Sequence, residues 1–233
     1  MASMAEIEIY SAAVCPFAQR SRLVLLEKGI DFEVIEIDLQ NKPANFLEIS
    51  PYGKVPVIRH GDNRVWESAI VNEYLEEVFP KPALLPKNPA QRALARIWID
   101  FANTKLIPAF YKLLLSQEPE KQQEWAEELT KHLYFIEHEG LRKLSDGPYW
   151  LGNEVGLIDI SYYPWFERWS ALEHYRGVTV PEDCTRLLTW WQAMKNLPSV
   201  QVTASPGEYH IEQYARYASN TASGTTAQEL KRY

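Results

Sequence analysis

The chain has 233 residues, 46% hydrophobic and 24% charged, with a net charge of −7, which describes an ordinary globular protein with room for one large or two small domains. No basic run or basic-aromatic stripe is present, so nucleic acid is not expected as a partner, and no apolar run approaches membrane-spanning length. Two cysteines, Cys15 and Cys184, are too few for a disulfide framework or a structural zinc site. With no charged-then-apolar leader at the N-terminus, these features imply a cytoplasmic protein.

The first third alternates strand, helix and strand. Glu6 to Tyr10 reads as a strand, residues 16 to 28 as a helix stopped by Gly29, and Asp31 to Leu39 as a second strand. Such a βαβ unit pairs its strands in parallel through a right-handed crossover.

Cys15 stands at the junction of that first strand and helix, directly before Pro16. This is a helix N-cap with proline at the first helical position, where its missing N–H costs nothing. The free N–H groups of the first turn and the helix dipole both favour a thiolate there. A free cysteine titrates near ~8.5, and helix N-termini lower that to between ~3.5 and ~7.5. Cys15 is therefore read as a nucleophile. Ala18 occupies the position of the second cysteine in a C-x-x-C motif, so any resolving thiol must come from another molecule.

After Asn41-Lys42-Pro43 a short polar helix or turn leads through Ile49 to Ser50-Pro51-Tyr52-Gly53-Lys54, and Val55-Pro56-Val57-Ile58 reads as a third strand. Pro56 inside it marks an edge, a bulge or a cis bond, and we expect the Val55–Pro56 bond to be cis. A hairpin turn at Gly61-Asp62-Asn63 precedes Val65-Trp66, and Glu67-Ser68 opens a helix with Ile70, Val71, Tyr74, Leu75 and Val78 on one face. The order βαβ then ββα fits a four-stranded mixed sheet.

Prolines at 80, 82, 86 and 89 mark a linker, and beyond it the pattern is helical with no strand signal. Gln91 to about Ser116 reads as one long helix interrupted or kinked at Pro108, residues 119 to 144 as another, and an aromatic-rich helix through Tyr162, Trp165, Phe166 and Trp169 as the core. Gly156 and Asp159 hold N-cap and N3 spacing. Glu182 to Asn196 reads as a further helix, and Ser219 to Tyr233 as a disordered tail. The five histidines show no metal-ligand spacing, and neither a P-loop nor a G-x-S-x-G motif occurs.

Cys15-Pro16-Phe17-Ala18-Gln19-Arg20, Asn41-Lys42-Pro43, Val55-Pro56-Val57, Glu67-Ser68-Ala69-Ile70, Ile158-Asp159 and Pro164-Trp165-Phe166-Glu167-Arg168 stand in order over nearly the whole chain. In these motifs the chain resembles the cytosolic glutathione transferases, and among them the omega class. It departs at Gly156, where the family usually has Ser or Thr, and in its long tail.

The resemblance implies an α/β thioredoxin-like N-terminal domain over residues 1–80 and an all-α helical bundle over 91–217; the prolines set the linker over 81–90 between them, and polar composition sets the disordered tail over 218–233. It further implies that glutathione is bound as co-substrate, without a metal, by Phe17, Lys42, Val55, Pro56, Glu67 and Ser68, with Cys15 forming mixed disulfides. Val55 would pair with the middle of the peptide, Lys42 would meet its glycyl carboxylate, and Glu67 with Ser68 would serve the γ-glutamyl end. The expected activities are thiol transfer, deglutathionylation or dehydroascorbate reduction on a small disulfide or electrophile, with weak conjugation, in a homodimer. Tyr111, Trp165 and Tyr209 are candidates for the second-substrate lining. The alternative is a non-catalytic module of the same fold that binds glutathione or another ligand.

Overall fold

The structure, a computed structural model, describes residues 7–231, so Glu6, expected to open the first strand, lies outside it. The chain divides into two compact units between Leu84 and Leu85.

The first unit runs β1 (Ile7–Ser11), α1 (Pro16–Glu27), β2 (Phe32–Glu36), α2 (Phe46–Ile49), β3 (Val57–His60), β4 (Asn63–Trp66) and α3 (Ser68–Val78). Its sheet has the order β2-β1-β3-β4, with β1 parallel to β2 from Ile7↔Phe32 to Ser11↔Glu36 and the other pairs antiparallel. Period-two alternation buries Ile7, Ile9 and Ser11 of β1 together, and α1 and α3 pack against each other. Gly29, at φ 61°, ends α1 in a conformation that suits glycine.

The second strand is shorter than the sequence suggests, ending at Glu36 rather than Leu39, and the third is displaced toward His60. The third begins at Val57, because Pro56 has no N–H for the ladder, and the Val55–Pro56 bond is cis. Val55 is thereby left outside the sheet pairing. At the C-terminal end of α3, the buried Lys28 ammonium bonds Glu76 at 2.6 Å and the carbonyls of Phe79 and Pro82 at 2.8 Å each. One cation thus fastens the end of α1 to the chain leaving α3.

The second unit contains α4 (Pro89–Phe101), a π-helical segment (Ala102–Leu106), α5 (Ile107–Leu115), α6 (Pro119–Phe135), a second π segment (Ile136–Leu141), α7 (Arg142–Leu144), α8 (Leu157–Glu167), α9 (Trp169–Arg176), α10 (Thr185–Lys195), α11 (Pro198–Thr203), α12 (Gly207–Ala218) and α13 (Thr225–Leu230). Among its described residues the sole strand-like pairing is the isolated bridge Tyr149↔Gly152.

The first of these helices starts earlier than its apolar period indicates. Asn88 caps it, its side chain accepting from the N–H groups of Ala90 and Gln91, and Pro89 takes the first helical position. Pro108 neither breaks nor ends the helical run. The turn before it widens instead, with the Ile107 N–H reaching back to the Ala102 carbonyl.

The core of this unit is aromatic, with Trp150, Tyr162, Trp165, Phe166, Trp169 and Trp190 fully buried or nearly so. Asp159 organises its entrance. Its carboxylate accepts from the Gly156 N–H at 2.9 Å, the Trp150 N–H at 3.1 Å and Trp190 Nε1–H at 2.8 Å. Burial nevertheless outweighs these bonds and pushes its pKa up to about 6.

The expected disordered tail is corrected over its described part. Ala222 and Ala227 are buried and α13 forms, with Lys231 Nζ bonding back to the carbonyls of Asn220 and Ala222. Small side chains can bury on a helix despite low average hydrophobicity, and composition alone cannot register that. Residues 232–233 lie outside the description.

Candidate functional site

Seven of the ten candidate residues lie in the first unit, around the loop between β1 and α1. Cys15 is the N-cap of α1, with extended backbone angles (φ −81°, ψ 116°) and Pro16 following. Its N–H donates to the Ala12 carbonyl at 2.9 Å, closing a turn. The turn is tied to the end of β2, where Glu36 accepts the Ala13 N–H at 2.7 Å. The half-buried Cys15 Sγ faces the Val55 carbonyl at 3.8 Å. The thiol and the backbone expected to hold the peptide are therefore side by side.

Just before Val55 in the chain, a tight loop meets the Lys42 side chain. Ser50 Oγ donates to the Lys54 carbonyl at 2.7 Å and accepts the Lys54 N–H at 2.9 Å, while Gly53 turns at φ 62°. Lys42 Nζ donates to the Gly53 carbonyl at 2.7 Å. Partial burial lowers the Lys42 pKa, so an anion beside the ammonium would be favoured more than at an open surface.

Glu67 and Ser68 stand at the start of α3. Glu67 is the N-cap, exposed, with a left-handed φ of 67°, and its carbonyl accepts the Val71 N–H at 2.8 Å. Ser68 is buried beneath it. Phe17, half-buried in the first turn of α1, lies under the Arg20 guanidinium, 5.6 Å from ring centroid to the guanidinium carbon. Arg20 also reaches Ser68 Oγ at 3.5 Å. Sequence reasoning placed Arg20 in the motif and gave it no role. Its signal was available, since a charged residue one turn from Phe17 lies on a helix side otherwise occupied by apolar and small residues.

The three remaining candidates belong to the second unit. Trp165 is 0% exposed and Tyr111 is 2% exposed, so both are core residues and their expected place in a substrate lining is corrected. The reason is local: every residue of α8 from Leu157 to Phe166 is buried, and an aromatic on such a helix packs inward. Tyr111 sits among Phe110, Tyr214 and Tyr217, with its hydroxyl 3.4 Å from that of Tyr214. Tyr209, on α12, is half-buried beside His210.

Cys184 is the N-cap of α10 and is fully buried. Burial, reinforced by the Glu137 and Asp183 carboxylates, pushes its thiol up to about 11, which makes it inert at neutral pH. Among the described residues no group of three or more His, Cys, Asp or Glu side chains could hold a metal, and no helix is long and apolar enough to cross a membrane.

Residues 9–83 match the N-terminal domain of glutathione S-transferase and residues 121–193 its C-terminal domain. Glutathione S-transferase omega-1 of Sus scrofa is 35% identical over 195 residues, which are 83% of this chain and 78% of the relative. The tau-class glutathione S-transferase of mango, Mangifera indica, has a TM-score of 0.85 at 26% identity, over 93% of this chain and 99% of the other. The dehydroascorbate reductase of Chlamydomonas reinhardtii has a TM-score of 0.77 at 28% identity, over 92% of this chain and all (100%) of the other. A thiol at the N-cap of α1, a strand start interrupted at Pro56 and the Glu67-Ser68 opening of α3 thus sit in a chain matched in both of its halves, and the chain belongs to the glutathione S-transferase family, similar to its omega-class members.

Proposed function

We propose that the protein is a glutathione-dependent thioltransferase in which Cys15 is the nucleophile. The observation that carries this reading is the position of the Cys15 thiol, at the N-cap of α1 and 3.8 Å from the Val55 carbonyl. The first-turn N–H groups of α1 favour the thiolate. Bound glutathione would lie along the Val55 backbone beside the cis Pro56, with its glycyl carboxylate at Lys42, its γ-glutamyl end at Glu67 and Ser68, and Phe17 flanking the sulfur.

The chemistry runs by two thiol–disulfide exchanges. The Cys15 thiolate attacks the glutathione sulfur of a mixed disulfide, forming a bond to Cys15 and releasing the other half as a thiolate. A second glutathione thiolate then attacks that bond, giving glutathione disulfide and regenerating Cys15. Ala18 leaves α1 without an internal resolving thiol, which is why the second thiol is glutathione's own. Reduction of dehydroascorbate has the same balance, two glutathione thiols becoming one disulfide as ascorbate forms. Deglutathionylation of proteins is the first exchange on a larger substrate. The working unit in this reading is a homodimer.

The test is a thioltransferase assay on a glutathione mixed disulfide with the unaltered chain, Cys15→Ser and Cys184→Ser. Cys15→Ser should lose thiol transfer and gain conjugating activity, because a hydroxyl can only donate a hydrogen bond to bound glutathione thiolate. Cys184→Ser should keep thiol transfer. Full activity in Cys15→Ser would end the mechanism, and no thiol transfer by the unaltered chain would leave a non-catalytic glutathione-binding module of the same fold.

A further inference from the structure

The turn that delivers Cys15 to the start of α1 spans Ala12 to Cys15 and is closed by the Cys15 N–H on the Ala12 carbonyl at 2.9 Å. Its central residues are Ala13 and Val14. Gly, Pro, Asn, Asp and Ser favour such a bend by themselves, whereas a β-branched valine favours extended backbone. The local sequence therefore does not hold this turn, and its hold comes from outside it.

Two charged side chains from neighbouring elements meet at Ala13. Glu36, at the end of β2, accepts the Ala13 N–H at 2.7 Å, and Arg22 of α1 reaches the Ala13 carbonyl through Nη2 at 3.5 Å. An N–H at the second position of a turn ordinarily faces water. Strand register brings the carboxylate to it: Ser11 and Glu36 are the last paired residues of β1 and β2, and the Ile37 N–H still bonds the Ser11 carbonyl at 2.7 Å. Val14 and Cys15 pack against the apolar group of Ala12, Ala18, Ile37 and Val55, so the turn has a floor as well as a clasp.

We propose that Glu36 is a positioning residue for Cys15: by holding the Ala13 N–H it fixes the turn that seats the thiol at the N-cap of α1 beside the Val55 carbonyl. This rests on the thioltransferase reading above and adds to it a residue from another strand. Positioning and charge act here with opposite signs. A carboxylate near a thiolate disfavours the ionised sulfur, so loss of the charge by itself lowers the pKa of the thiol. Loss of the turn takes the sulfur away from the first-turn N–H groups and raises it.

The experiment follows alkylation of Cys15 by iodoacetamide against pH, located by peptide mass, in the unaltered chain, Glu36→Ala and Glu36→Gln. Glutamine keeps an acceptor oxygen at the same reach without the charge. Glu36→Ala should raise the midpoint by ~1 pH unit, a part of what a helix start confers. Glu36→Gln should leave it at or below that of the unaltered chain. A midpoint unchanged or lowered in Glu36→Ala, or raised equally in both variants, would overturn the proposal. Thiol transfer by Glu36→Ala should be ~5-fold low at neutral pH and approach the unaltered rate at alkaline pH. A deficit of one size at every pH would mean a loss of structure alone and would also overturn it.

Hydrogen exchange of the unaltered chain reads the same contact without any substitution. The Ala13 amide should exchange slowly although its residue is exposed, and exchange at the open-chain rate would overturn the proposal. Full thiol transfer by Cys15→Ser would overturn the thioltransferase reading, whereas the alkylation midpoint is read on the thiol itself and judges Glu36 separately.

Discussion

Glu67 holds φ 67° and ψ 113°, a region that side-chain-bearing residues enter at a cost of about 1–3 kcal/mol. A residue is kept in such a conformation when its side chain is needed where that conformation aims it, and here the carboxylate stands at the start of α3 beside Ser68. Glu67→Gly should therefore raise the urea midpoint, by a stability gain of about 1 kcal/mol, while weakening glutathione binding. Both are read on one variant, and a midpoint that does not rise would mean that the strain is absent. Asp159 presents a different balance. Its pKa is raised by burial to about 6, above the ~3.9 of an unfolded chain, so the folded state binds the proton more tightly. The stability this lends is complete below the unfolded value and is lost as pH rises through about 6. In Asp159→Asn one acceptor oxygen becomes a donor facing a donor, which should cost about 1–3 kcal/mol at neutral pH. Since only the unaltered chain titrates here, the gap between the two should narrow as pH rises from 4 to 7, in urea unfolding of both.

At the scale of the elements, the second π segment exists around a glycine. A Cβ added at Gly140 would fall 2.7 Å from one ring carbon of Trp150 and 3.2 Å from Trp98, both rings being buried. Gly140→Ala should destabilise by about 1–3 kcal/mol, seen as a lower thermal midpoint. The sequence made the existence of most elements legible where the period was strong and local. Alternation gave β1, the Cys15-Pro16 pair gave the start of α1, and the proline cluster gave the boundary region. Helices α9, α11 and α12 escaped because their apolar positions are few, although His210, Tyr214 and Ala218 repeat every four residues along α12. The widened turn before Pro108 escaped because a proline inside a helix has several solutions, and packing around Ala102 and Leu106 selects one. The residues proposed for the site, Cys15, Lys42 and Glu67-Ser68, were named from residue type and spacing alone. The contact of buried Arg20 with Ser68 was not legible, because it joins residues 48 apart on different helices.

Over the whole molecule the two thiols divide by environment. Cys15 is half-buried at a helix start and Cys184 is sealed in the second unit, so one equivalent of a small alkylating agent should label the native chain and two the unfolded chain, as counted by intact mass. Two labels on the native chain would mean that the second unit opens readily. Its resistance to opening has a particular origin in Arg176. That guanidinium bonds the carbonyls of Leu113, Leu114 and Ser116 at the end of α5, Tyr175 in its own helix, and Ala218 at the end of α12. Helix ends ordinarily fray first, each on its own. Here two ends are fastened by one ion, and loosening either exposes the carbonyls of both. In native-state hydrogen exchange the last turns of α5 and α12 should then share one opening free energy, and in Arg176→Ala they should separate into two faster and unequal ones. A segment near the end of the chain would thereby report on the interior of the bundle, on the timescale of exchange.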